Sequence, residues 1–131
     1  MKALVPTAVA LLALTLILSP GGAGDKKKAE PKYTIKEVME KAHDEGGLLE
    51  KVSEGMADAK EKKQLVEFYV ALQENAPPKG DKAKWAKVTK SMVAAAKAVA
   101  DSKDEKDQAP VKALVKIVNC KNCHAEFKPA K

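Results

Sequence analysis

From Thr34 onward, apolar residues recur every three or four positions, the period of a helix with one buried face. Ile35, Val38, Met39, Ala42, Leu49, Val52 and Met56 follow this spacing and predict a first helix. It opens on Thr34-Ile35-Lys36-Glu37, which has the form of a capping box. Gly46-Gly47 predicts a bend or break within it, and Gly55 predicts its end. Asp58 reads as the cap of a second helix with a stripe of Leu65, Val66, Phe68, Tyr69 and Leu72, stopped before Pro77-Pro78. Asp81 caps a third, whose inner face carries Trp85, Val88, Met92, Ala95, Ala96 and Val99. After the polar run 101–108, Pro110 suits the first turn of a fourth helix, with Val111, Leu114, Val115 and Val118 on its stripe. No segment alternates with the period of a strand and no repeat is visible. Four helices with short connections predict an all-α fold, an antiparallel four-helix bundle.

The N-terminus departs from this pattern. Met1-Lys2 precedes an apolar run from Ala3 to Leu18 and then Ser19-Pro20-Gly21-Gly22-Ala23-Gly24, the layout of a secretory signal peptide over residues 1–24. The run is short for a membrane span and contains Pro6, so cleavage leaves no stable membrane insertion. Residues 25–33 are charged and contain Pro31, which predicts a flexible tail before a domain over 34–131. The expected compartment is the periplasm.

Charge changes the picture little. The net charge is +6, and all 24 basic residues are lysines. Lysine is a flexible point charge without the bidentate fork of arginine, and together with export this disfavours nucleic acid as a partner. Spread along the chain, the lysines read mainly as solvated helix faces. Clustered near a site, they would steer acidic partner proteins.

Both cysteines fall in one pentapeptide, Cys120-Lys121-Asn122-Cys123-His124. A C-x-x-C-H run is the attachment motif of a c-type haem: two thiols add to the vinyl groups and the adjacent imidazole reaches the iron. On a helix, Cys120, Cys123 and His124 lie within an arc of about 100°. The competing readings are weaker. A structural zinc site wants four ligands, and here the missing half would have to include His43. A redox dithiol would want a preceding strand, and a disulfide across three residues would constrain little. Since the motif lies so near the end of the sequence, any second axial ligand is expected from earlier in the chain.

Cys120-Lys121-Asn122-Cys123-His124-Ala125-Glu126-Phe127-Lys128 resembles the C-terminal signature of class II c-type cytochromes, the group of cytochrome c prime and its low-spin relatives. The resemblance implies one haem c at one end of the bundle, with Cys120 and Cys123 as tethers and His124 as proximal iron ligand. It also implies that Phe127 packs near the haem and that Lys128 stands beside it. The first helix would cover the distal face, with the distal residue somewhat over four turns before a glycine. Met39 lies sixteen residues before Gly55, about 4.4 turns, and is the candidate sixth ligand. An ordinary core methionine is its alternative. His43, one turn on along the same face, could instead reach the iron or a propionate. The sequence departs from the family in having Ile35 where a basic residue often stands, and in the Gly46-Gly47 interruption. Family members often dimerise through the first two helices, and the lysine-rich faces leave a homodimer open here.

The resulting expectation is an exported monohaem electron carrier, not an enzyme. Its alternative is a five-coordinate, high-spin protein that binds NO or CO. A peroxidase would need acid–base groups on an open distal face, where His43 is the only imidazole.

Overall fold

The structure, a computed structural model, describes residues 30–130. Among them every regular element is helical: α1 (Ile35–Val38), which runs on into a π turn (Met39–His43), then α2 (Leu48–Ser53), α3 (Ala59–Glu74), α4 (Lys82–Asp101), α5 (Ala109–Ile117) and α6 (Cys120–Phe127). The signal-peptide reading and most of the tail fall outside the described residues. No helix among those described is long and apolar enough to cross a membrane.

The caps form as their residue types dictate. The Thr34 hydroxyl accepts from Glu37 N–H, and the Glu37 carboxylate accepts from Thr34 N–H. Asp58 and Glu61 close the same reciprocal pair at α3, while Asp81 accepts from Lys84 N–H at α4. Each cap contributes about 1 kcal/mol. The two long helices pack against each other, and Ala71, Ala95 and Ala96 on them are buried. The indole N–H of Trp85 donates to Leu72 O (3.1 Å) and Asn75 O (2.9 Å), fastening the start of α4 to the end of α3 as a hairpin. α1 and α2 lie on α3, α5 lies on α4, and α2 also touches α5. Val38, Val52, Leu65, Tyr69 and Leu114 are essentially sealed at the centre.

The first helix comes in pieces, as Gly46-Gly47 predicts: Gly46 takes φ +73°, and the preceding turn pairs Asp44 N–H with Met39 O (3.0 Å), a π register. Three features differ from the sequence expectation. Met56, expected in the core, is 65% exposed, because Gly55 at φ +73° ends the helix before it. The fourth helix breaks at Val118, whose ψ of 82° leaves the helical region, and Val115 from its expected stripe is 46% exposed. Finally, the end of the expected tail is docked. Tyr33 packs edge-on to Phe68 at 4.8 Å, Asn75 donates to its carbonyl (2.8 Å), and Lys32 pairs with Glu67 (2.6 Å).

Candidate functional site

The break between α5 and α6 sets the direction of the cysteine motif. Asn119 caps α6 with its side-chain oxygen, which accepts from Asn122 N–H (3.0 Å). The short helix that follows therefore begins on Cys120 and carries Cys123 and His124 in helical register. Its far end is fixed to the hairpin. Phe127 is buried and meets Trp85 edge-on at 5.1 Å, and Glu126 pairs with Lys84 at 2.9 Å. Gly80, at φ +85°, lies so close that a Cβ there would sit 2.8 Å from Glu126 O. Its lack of a side chain is thus required twice, by conformation and by contact.

Between α6 and the rest of the molecule lies a cavity of about 500 Å³. That is within the range of small-molecule and cofactor sites, about 300–1,000 Å³. The first segment contributes Met39, His43 and Asp44; α3 and α4 contribute Leu72, Trp85, Val88, Thr89 and Met92. The outer wall runs from Lys116 to Phe127 and includes Cys120, Cys123 and His124. Thr89 keeps its buried hydroxyl satisfied by donating to Trp85 O (2.9 Å), so this part of the wall is effectively apolar. Cys120 is exposed and Cys123 half-buried, and they are not bonded to each other. Burial, followed by the charges of Cys120 and Glu126, pushes the Cys123 thiol above its ordinary pKa.

Among the described residues, two buried side-chain atoms have no hydrogen-bond partner: His43 Nε2 and the Tyr69 hydroxyl. They are neighbours, with the two rings stacked at 5.6 Å and 25°. Burial, reinforced by nearby His124 and opposed by Asp44, pushes His43 down to about 4. Burial, with Cys120 adding to it, pushes the Tyr69 phenol up. Both groups are therefore neutral at pH 7, and each unsatisfied atom costs about 1–3 kcal/mol.

Five of the residues singled out in the sequence line this one cavity: Met39, Cys120, Cys123, His124 and Phe127, with the alternative His43 beside them. Lys128 does not. It is exposed, follows the last turn of α6 and lies off the cavity wall, so it is not brought to the site. The packing also recruits residues read only as helix anchors or core, namely Trp85, Met92 and, behind His43, Tyr69. Their apolar spacing marked them as buried but could not say what they face. No three His, Cys, Asp or Glu side chains among the described residues converge as a bare metal ion requires, so the four-ligand zinc arrangement is not assembled. Compared with protein-family models, curated proteins and solved structures, the chain matches none.

Proposed function

We propose that the protein is an exported monohaem c-type cytochrome of the class II kind that transfers electrons between partner proteins. One observation carries the reading. The C-x-x-C-H helix opens onto a largely apolar cavity of cofactor size, and the same cavity receives a thioether and an imidazole from the first helix. The unpartnered His43 nitrogen and the paired thiols fit a ligand of that chemistry, and the fit does not depend on any outside likeness.

In this reading Cys120 and Cys123 would tether the macrocycle, His124 would hold the iron from the motif side and Met39 would hold it from the first helix, while Trp85 and Phe127 would form an aromatic wall that keeps water away. Haem c held there supplies a one-electron Fe(III)/Fe(II) couple. A thioether on the distal side stabilises the reduced state and raises the potential. Taking α1 to α2 as one interrupted helix, and α5 with α6 as one broken helix, the fold is a four-helix bundle with the haem at one end. Lys116 on the cavity wall and Lys121 within the motif offer positive charge to acidic redox partners.

The test is expression in a haem-maturing periplasm, followed by denaturing gels stained for haem and by optical and resonance Raman spectra. Covalent haem, low-spin in the ferrous state with a thioether ligand, is the expected result. A protein that is high-spin and five-coordinate in both states would move the function to binding NO or CO. A protein that acquires no covalent haem overturns the reading.

A further inference from the structure

The π turn brings two different donors to one cavity within five residues. Met39 opens it and His43 closes it, and both line the same space. π turns are uncommon and strain the helix that holds them, and they are found frequently at functional sites. This one is closed by Asp44 N–H on Met39 O. Moving that N–H to Glu40 O would restore the α register and turn His43 relative to Met39, a small local rearrangement. The two ends are differently held. Met39 packs against the core as a partly buried, unbranched side chain. His43 is braced flat on Tyr69, itself fully buried, with Nε2 buried and unpartnered. His43 and His124, from different segments, both line the cavity.

We propose that Met39 and His43 are alternative distal ligands used in turn, His43 Nε2 on oxidised iron and Met39 Sδ on reduced iron. This rests on the haem reading above and deepens it. The chemistry follows from donor type. Imidazole is the better partner for the harder Fe(III), and thioether stabilises Fe(II). When a one-electron donor reduces the iron, the bond to His43 breaks and one to Met39 forms. The imidazole leaves neutral, so no proton moves, and oxidation reverses both changes. Tyr69 is a positioning residue: it holds the imidazole plane against the cavity, so that the released nitrogen stays close enough to rebind. The exchange also accounts for a buried imidazole nitrogen with no partner in the polypeptide, which a fixed Met39 ligand would leave unexplained.

The experiment compares ferric and dithionite-reduced holoprotein by near-infrared magnetic circular dichroism and resonance Raman. The wild-type ferric protein should carry the charge-transfer band of two imidazoles, and the ferrous protein should carry thioether ligation. His43→Ala should convert the ferric spectrum to the histidine–methionine type, whereas Met39→Ala should leave the ferric spectrum unchanged and alter only the ferrous one. In voltammetry at increasing scan rate, the oxidative and reductive waves of wild type should separate, and His43→Ala should close that gap. A wild-type ferric spectrum already of the thioether type overturns the exchange while leaving the cytochrome reading intact. So does a ferrous spectrum still showing two imidazoles. The wild-type spectra decide the matter even where a variant fails to fold. Absence of covalent haem is a separate result, one that removes the cytochrome reading itself.

Discussion

The α3–α4 hairpin and the α6 helix are joined at one corner, yet they are built on opposite principles. The hairpin is held along its length by buried side chains from Leu65 to Val99, and Trp85 ties its two helices together beside the turn. α6 buries one large side chain, Phe127, and packs Cys123 partly against the core; its other ties include Gly80, a half-exposed ion pair and its own cap. Cys120 and His124 are exposed at the other end. The hairpin is therefore a scaffold that the polypeptide stabilises by itself. The motif helix is a flap whose inner side faces a cavity, and a ligand filling that cavity would supply the contacts that the chain leaves out. Under the proposed function, attachment of haem needs thiols within reach, and an α6 with few ties would offer them.

The contrast is sharpest where the core is cut. Leu65→Ala, at a site 1% exposed, should lower global stability by about 2–5 kcal/mol, seen as a lower midpoint in urea with every helix melting together. The next effect lies on the cavity side and depends on pH. In haem-free protein the folded pKa of His43, about 4, lies below its unfolded value of 6.5, so the unfolded chain binds more protons between those limits. That contribution to stability is complete above pH 6.5 and is lost as the pH falls towards 4, to an extent on the order of 3 kcal/mol. Urea titrations of haem-free protein should show this loss, and His43→Gln should flatten it. Gly80→Ala places a methyl against Glu126 O at a left-handed backbone position, costing about 1–2 kcal/mol. Its mark should be local, with amide exchange in α6 accelerated roughly ten-fold and exchange in the centres of α3 and α4 unchanged. Asn119→Ala removes a cap worth about 1 kcal/mol and should show the same local pattern, weaker, in the first turn of α6. If either α6 variant melts the hairpin as well, the division between scaffold and flap is wrong.

Much of this arrangement was legible before the structure, because it rests on local chemistry. Thr34 with Glu37, Asp58 with Glu61, Asp81, and the Pro77-Pro78 stop each act within four residues, and each appears where the sequence places it. Helical spacing likewise assigned Leu65, Phe68, Leu72, Trp85, Val99 and Leu114 to buried faces. Periodicity failed where the backbone leaves the regular helix. It carried the first stripe past Gly55 onto Met56, and the fourth across Val118 into the cysteine motif. The second break had a visible signal in Asn119, a good cap residue just ahead of Cys120, which the haem motif overshadowed. The π turn had no such signal: Met39 and His43 are four apart in either register, and the difference lies in backbone hydrogen bonds such as that of Asp44 N–H to Met39 O. The stacking of Tyr69 on His43 was beyond reach for another reason. It joins residues from separate helices, and a stripe says which side faces inward without naming the neighbour.

Trp85 is the only tryptophan in the chain, and its indole is fixed by two hydrogen bonds at the edge of the cavity, in contact with the last aromatic ring of α6. The molecule thus carries a single fluorophore of known orientation at the hinge between its stable and its yielding parts. An absorbing ligand in the cavity would quench that emission by energy transfer, and lifting α6 would expose the ring to water and shift its colour. Intensity would report occupancy and wavelength would report the flap, so filling and opening could be timed separately in one unlabelled sample.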